Sequence, residues 1–515
     1  MKALHLYKCL PSARRISTSS AVYWQNYENE RHYEPGEDVL NRTWHGLTYD
    51  FRRWKRRYLE ARKDAFQRRN TIAHMKRSVL DNEVFPFRAE ILVIGGGLTG
   101  SSTAFWLKQR FRDEDLKVVV VEDNSNFMEG DTMNSIGSFT QQFSIPEHIE
   151  MSLFSAEFLR HAGEHLQILD NQPPDINIMP SGFLRLACTN EEAEVMRETW
   201  KVQVEKGARV VLLNKEELAS RFPFINFGDV VLGSLGLENE GVVNTWQLLS
   251  ALREKNITLG VQYVKGQVQG FEFERLRPKA EAHTISGIDE ADEEKWRSQR
   301  ITGVHVKPQM TDASARPIRA HLIVNAAGPW AGRVAEMAGI GKGTGLLAVP
   351  VPIVPVNRPK FVVHAPDVPP DLPILIDSSG VFCQRTDLGH TFVVGRHSNE
   401  EVCDKEINYD WYFDNIAPVL EKRIPFFKSA TIKSAFSSVE SLNTFDSAPI
   451  IGEHPLYNNL YMMCGFGSRN VMHSLAAGRA FAERVFDGAY VNINLRKFDM
   501  RRIVKTEKLI EKLKI

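Results

Sequence analysis

The chain has 515 residues, 43% of them hydrophobic and 25% charged, with 64 Lys/Arg balanced by 64 Asp/Glu. That length holds two or three domains or lobes, and the composition is that of an ordinary globular protein. The body carries no basic excess and no visible nucleic-acid reading module, so nucleic acid is excluded as a partner.

The charge is unevenly spread. Residues 1–88 hold 18 Lys/Arg against 10 Asp/Glu, a basic extension on a mildly acidic body. Residues 1–27 contain Lys2, Lys8, Arg14 and Arg15, several serines and threonines, and no acid before Glu28. This is the composition of a mitochondrial presequence, and it places the protein in the matrix. A secretory signal is disfavoured because no apolar core follows the charges. Within the rest of the extension, 28–88, the segment 51–69 reads as a basic amphipathic helix with nine Lys/Arg. Its stripe of Phe51, Trp54, Tyr58, Ala61 or Ala65, and Phe66 suits either an anionic inner-membrane surface or a strap onto the protein's own domain.

Residues 90–123 carry every part of a dinucleotide-binding βαβ unit in order. Ile91–Ile94 is a buried parallel-strand run. Gly95, Gly97 and Gly100 form G-x-G-x-x-G, for the tight turn, the approach of a pyrophosphate and close helix packing. A helix is expected from Leu98 to about Arg110, then a strand Val118–Val121. Glu122, 22 residues past Gly100, is placed to accept hydrogen bonds from a ribose. A membrane span over 91–107 explains none of the glycines and falls short of the ~20 residues a span needs.

Further along, Ala320–Val324 is another buried strand, running into Asn325-Ala-Ala-Gly-Pro-Trp330, where Ala327 and Gly328 permit close approach of a ligand. Thr444–Gly452 precedes a strand at Leu460–Cys464. Gly465-Phe-Gly-Ser-Arg-Asn470 then opens a helix from about Val471 to Phe486. A second glycine-opened helix N-terminus can face negative charge developing on a ring carbonyl. A nicotinamide site has no need of it; a flavin site does. The five cysteines are scattered, with no pair at C-x-x-C spacing, so neither zinc nor a disulfide framework is indicated. No metal-ligand cluster or Ser-His-Asp set stands out.

These motifs, IGGGLTG at 94–100, VVVVED at 118–123, VNAAGPW at 324–330 and DSAPIIG at 446–452, resemble those of the D-amino-acid oxidase / sarcosine dehydrogenase superfamily across about 89–495. The resemblance implies an α/β fold: a split Rossmann-like FAD-binding domain with an inserted antiparallel β-sheet substrate lobe. The FAD domain is expected at 89–150, 241–275, 318–345 and 441–495. The lobe and insertions are expected at 151–240, 276–317 and 346–440, with a helical tail at 496–515. Strands near 181–187, 261–273, 352–363 and 391–396 lack intervening crossover helices, as such a lobe requires.

By the same resemblance Val268 holds the adenine through its backbone, and Ser135 and Gly137 flank the ribityl chain. Gly465, Gly467, Ser468, Arg469 and Asn470 stand where relatives have Gly-Phe-Ser-Gly-His-Gly, so Arg469 is expected to bring positive charge to the flavin. Asp131–Asn134 holds no His or Cys where many relatives attach flavin covalently, which implies non-covalent FAD. Arg385 and Arg396 are candidate forks for a substrate carboxylate, with Gln142 and His397 as lesser candidates. The runs 140–147, 153–159, 180–184 and 443–446 resemble a mitochondrial branch of the family. That likeness implies a role in assembly of respiratory complex I, with its subunits or assembly intermediates as partners. The alternatives are a matrix amine or amino-acid dehydrogenase and a flavin-free scaffold.

Overall fold

The computed structural model describes residues 85–112, 116–123, 130–275, 299–309, 314–386, 389–397 and 407–513, with Phe51, Trp54, Lys55 and Tyr58. The expected presequence, most of the 51–69 segment and the rest of the extension before Phe85 lie outside the described residues. Two units are separable, Met1–Glu83 and Val84–Ile515. In the first, Phe51, Trp54, Lys55 and Tyr58 are helical. Its three rings are exposed and follow one another, Phe51 tilted against Trp54 at 6.1 Å and Trp54 stacked on Tyr58 at 5.9 Å between centroids.

The second unit is built on two large sheets. In the first, β1 (Arg88–Ile94) lies parallel between β2 (Val118–Glu122) and β10 (Arg316–Asn325). β8 (Gln262–Arg275) extends it beyond β2, and β17 (Leu460–Cys464) beyond β10, both parallel. β16 (Ile450–Glu453) closes one edge antiparallel. The ends of β8 and β10 bend away to pair antiparallel with β9 (Gln299–Pro308).

The valine run of β2 shows why this sheet is so apolar. Val118 and Val120 enter the core on one face, Val119 and Val121 the core on the other. Alternate side chains point to opposite faces, so a strand covered on both sides is apolar throughout. Each buried valine contributes roughly 1.5–3 kcal/mol. One face is covered by α1 (Leu98–Arg110), α2 (Pro146–Arg160), α3 (Thr245–Thr258) and α4 (Asn470–Phe486). α1 is buried all round; its Ser101 and Thr103 hydroxyls donate to the carbonyls of Gly96 and Thr99, which removes the cost of burying them. α4 packs close on α1 at Gly478, where a Cβ would lie 2.5 Å from Ser102 Oγ.

The lobe is an eight-stranded sheet among the described residues, in the order β15-β11-β14-β13-β12-β4-β6-β5. These are β4 (Phe183–Ala187), β5 (Val210–Leu213), β6 (Leu232–Gly236), β11 (Ile353–His364), β12 (Ile374–Ile376), β13 (Val381–Arg385), β14 (Thr391–Arg396) and β15 (Thr431–Asn443). All its pairings are antiparallel except β4 with β12. Its outer face carries the larger apolar core. Its inner face carries a smaller one around Phe183, Ile374, Ile376 and Phe382. A two-stranded ribbon, β3 (Ser138–Phe139) with β7 (Gly241–Val242), completes the set.

Three boundaries need correction. Residues 151–166, expected in the lobe, pack in the core under α1 and α4, because Met151, Phe158 and Leu166 face that core. β9, expected among the lobe and insertions, belongs to the first sheet through its pairing with β8 and β10. The tail at 496–515 is mostly not helical. Past Arg501–Val504 it runs as a strap whose Glu511 carboxylate accepts from the Ser144 amide at 2.6 Å and contacts His148 Nδ1 at 3.1 Å.

Candidate functional site

A cavity of about 680 Å³ opens at the C-terminal ends of β1, β2 and β10, the crevice where open α/β sheets bind ligands. Gly95 (φ +102°) turns the chain beneath it, and a Cβ there would lie 2.3 Å from Ala326 O. At Gly100 a Cβ would lie 1.9 Å from Gly95 O, so only glycine lets α1 start so close to the turn. Gly97, at the cavity wall, has just one neighbour within reach of an added Cβ, Thr132 Oγ1 at 3.3 Å.

Thr132 had no signal in the sequence. Its Oγ1 accepts from the Leu98 amide at 3.1 Å and from Asn470 Nδ2 at 3.2 Å. Asn470 Oδ1 in turn accepts from Thr99 Oγ1 at 3.3 Å. The N-termini of α1 and α4 are thus tied side by side at one cavity wall. Both helix dipoles present their positive ends there, which suits phosphate and an electron-rich ring. Glu122 Oε2 accepts from the Gly96 amide at 2.6 Å, which fixes the carboxylate at the end of β2. Val268 shares the wall with it, three residues past Lys265, the register partner of Glu122. Asn325 holds the Ala326–Gly328 turn open, donating to Ala331 O at 2.9 Å and accepting from the Ala327 amide at 3.3 Å.

Of the expected cofactor residues, Gly95, Gly97, Glu122, Val268, Ala327, Gly328 and Asn470 line this cavity, with Gly100 packed behind. Others stand elsewhere. Gly137 (φ +69°) sits against Val243 O, where a Cβ would meet the carbonyl at 2.0 Å. Gly465 and Gly467 supply left-handed turns outside the wall. Arg469 turns from the cavity into the interior, where Nη1 donates to Ser447 O at 2.8 Å; its expected charge near the flavin is not delivered there.

Ser135 and Ser468 line a second, smaller space of about 20 Å³ against the inner face of the lobe. That volume holds about one water molecule. Asp131 belongs to both walls. The smaller space also meets Lys360, His397 and Glu440. Lys360 Nζ lies 3.4 Å from Glu440 Oε1 and donates to Asn134 O at 3.4 Å. Burial pushes the Asp131 carboxyl well above its usual range, Glu440 adds to this, and Lys360 opposes it. Burial also raises Glu440, but Lys360, His397 and Arg358 outweigh it and hold it below the ordinary carboxylate value. Burial lowers His397 to about 4, so the imidazole is neutral at neutral pH.

The two leading substrate candidates, Arg385 and Arg396, and the lesser candidate Gln142 are engaged elsewhere by their packing. Arg385 donates to Pro369 O at 2.8 Å and lies over the Phe392 ring. Arg396 donates to Ser379 O and Asn415 Oδ1 at 3.3 and 3.2 Å. Gln142 is buried and donates to Phe183 O at 3.0 Å and Glu240 Oε2 at 3.2 Å. None lines either space.

Glu240 carries a testable consequence. Burial raises its carboxyl to about 7 from an ordinary 4.5, despite hydrogen bonds from Thr140, the Gln141 amide and Gln142 and the charge of Arg185. A carboxyl raised on folding contributes stability that is fully present below the unfolded value and lost as pH rises through the folded one. Urea unfolding of the parent is therefore expected to lose on the order of 3 kcal/mol between pH about 4.5 and 7. Glu240→Gln should remove this slope; an unchanged slope would place the titrating group elsewhere.

Comparison with known proteins follows the same lines. The FAD dependent oxidoreductase family model matches residues 90–484. FAD-dependent oxidoreductase domain-containing protein 1 of Xenopus laevis is 40% identical over 436 residues, covering 83% of this chain and 85% of its own. The homolog of that protein in Drosophila melanogaster is 36% identical, covering 83% and 81%. Among solved structures, L-proline dehydrogenase from P. horikoshii superposes with a TM-score of 0.66 at 20% identity, over 82% of this chain and 100% of that one.

Proposed function

Because the chain belongs to the FAD dependent oxidoreductase family, with FAD as its cofactor, we propose that it is a mitochondrial flavoprotein required for assembly of respiratory-chain NADH dehydrogenase (complex I). Its partners in this reading are complex I subunits or assembly intermediates. One contrast carries the proposal: the FAD cavity is about 680 Å³, while the space on the substrate side is about 20 Å³. Seven of the expected cofactor residues line the large cavity, whereas among the described residues neither Arg385 nor Arg396 lines the small space.

The residues present fit FAD. Gly95 and Gly97 leave the backbone bare for a pyrophosphate, Glu122 would hold the ribose, Val268 the adenine, and the paired N-termini of α1 and α4 would face the phosphates and the ring. The wall at Asp131–Asn134 offers no histidine or cysteine, so attachment is non-covalent. Bound FAD supplies an acceptor for a pair of electrons. The exposed row of Phe51, Trp54 and Tyr58 supports a peripheral place on the matrix face of the inner membrane. Among the described residues no helix is long and apolar enough to cross a membrane.

A second reading, a matrix dehydrogenase of an amine or amino acid, is favoured by the neutral His397 beside Lys360, Glu440 and Asp131. In that reading the substrate amine enters uncharged beside the neutral imidazole, and the lobe moves to admit it. The flavin-free scaffold has the large cavity against it.

Complementation separates these readings. Cells lacking the protein should lose assembled complex I. The parent and Lys360→Met, which disables the substrate side, should restore it, with flavin released to the supernatant on acid precipitation. Failure of Lys360→Met to restore complex I while binding FAD normally would favour the dehydrogenase. Unaltered complex I in the null cells would sink the assembly role. The protein should sediment with mitochondrial membranes at low salt and leave them at high salt.

A further inference from the structure

A separate cavity, of about 480 Å³, lies at the C-terminal end of α4 and shares no lining residue with the FAD cavity. α4 has 17 residues, so its two ends stand about 25 Å apart. Six basic side chains line this cavity: Arg484, Arg496, Lys497, Arg501, Arg502 and Lys505.

Three of the six are committed. Arg484 pairs with Glu453 at 3.2 Å, Lys497 reaches Glu147 at 2.6 Å, and Arg502 Nε lies 2.8 Å from Asp446 Oδ2. Arg502 also donates to Phe498 O at 2.6 Å and Ala448 O at 3.1 Å, so it fastens the segment rather than serving a ligand. The side chains of Arg496, Arg501 and Lys505 are exposed and make no hydrogen bond or ion pair among the described residues.

Two carboxylates at the wall remain beside them. Asp499 accepts from the Arg501 amide at 2.9 Å and packs against Gly452; burial raises its carboxyl, against the nearby charge of Arg501. Glu507 is exposed.

The backbone that carries these cations is anchored. Leu495, Phe498, Met500 and Ile503 are buried, and they alternate with the basic positions, so each turn of the segment is anchored inside and charged outside. Behind them the hydroxyls of Tyr461 and Tyr490 pair at 2.8 Å. One hydrogen serves that bond and the other is left to donate. Burial raises both phenols, so both keep their protons at neutral pH. Cationic side chains carried on an anchored backbone around a concave site attract an anion and hold it by charge-assisted hydrogen bonds.

We propose that this cavity is a binding site for a phosphate-bearing anion, held by Arg496, Arg501 and Lys505 with the tyrosine pair behind them. The ligand is either a soluble phosphate compound or the headgroup of an anionic phospholipid; the recognition chemistry is the same.

The test uses holoprotein, whose FAD keeps the other cavity filled, and two probes. Inorganic pyrophosphate is titrated calorimetrically at low salt. Phosphatidylcholine vesicles with and without phosphatidic acid are assayed by co-sedimentation. Pyrophosphate should bind saturably, and Arg496→Gln with Arg501→Gln should weaken it by at least about tenfold with the flavin spectrum unchanged. Lys505→Gln alone, on an exposed side chain, should weaken it by a smaller factor and guards against misfolding of the double variant. If only vesicles containing phosphatidic acid bind, and the double variant abolishes that, the source is a lipid headgroup. Pyrophosphate binding equal in parent and variants overturns the site. So does vesicle binding that the substitutions leave unchanged in the absence of pyrophosphate binding.

Discussion

Gly97→Val will yield a folded protein that does not hold FAD. The backbone at residue 97 sits at φ −65° and ψ −169°, extended and outside the left-handed region, so the backbone itself does not demand glycine. A Cβ there has a single protein neighbour, Thr132 Oγ1 at 3.3 Å. The two methyl groups must then occupy the cavity where the pyrophosphate approaches the N-terminus of α1. Affinity should fall by about a hundredfold or more, while the flavin-free variant unfolds within about 1 kcal/mol of the flavin-free parent. The thermal midpoint of the FAD-supplemented variant should not rise, because ligand stabilisation disappears with binding. Glu122→Ala is the milder companion. It removes the acceptor of the Gly96 amide and the partner of the ribose, at about 1.5–3 kcal/mol of FAD affinity. If both variants bind flavin as the parent does, the nucleotide site has been misplaced.

The contrast between what the chain announces and what it conceals follows from distance along the sequence. The β1-α1-β2 unit was legible because each of its requirements is local: strand burial, glycine spacing and a terminal acid within 90–123. The helix starts and ends where the pattern puts it, at Leu98 and Arg110. The tie between the N-termini of α1 and α4 was half legible. Asn470 was marked by its glycine-opened turn, but Thr132, 338 residues away, becomes its partner only in the folded chain. The substrate side was misread for a related reason. Arg385 and Arg396 have the side-chain type that a carboxylate fork needs, yet the direction each strand faces decides what an arginine reaches. A subtler signal was present: Arg358 and Lys360 stand two apart in β11, on one strand face. Glu440 could not be joined to them from sequence, since the β11–β15 register sets it opposite Val356.

Arg423→Met will destabilise the lobe by about 3–5 kcal/mol, because it leaves a buried carboxylate without its cation. Arg423 is 3% exposed, and its Nε lies 2.5 Å from Asp377 Oδ1, itself 6% exposed. The same guanidinium contacts Asp229, donates to Asn226 O at 3.2 Å and meets Cys188 Sγ at 3.0 Å. One side chain thus fastens the helix Ala417–Arg423 to the turn after β12, the end of β4 and the loop before β6. Methionine keeps most of the volume but none of the donors. Urea unfolding should report the loss, and Arg423→Met with Asp377→Asn should recover part of it by removing the stranded charge. The acid limb should change as well. Burial raises the Asp229 carboxyl, but hydrogen bonds from Lys422 and Arg423 outweigh it and bring it to about 2 from an ordinary 3.8. A depressed carboxyl contributes stability that is present above the unfolded value and lost as pH falls through the folded one. In the parent that loss falls below pH about 3.8; in Arg423→Met it should shrink, with Lys422, 2.6 Å away, retaining a share. A loss under about 1 kcal/mol for the single variant, or no recovery in the double, would mean that Asp377 reaches water once the arginine is gone and that the staple is not what holds the lobe.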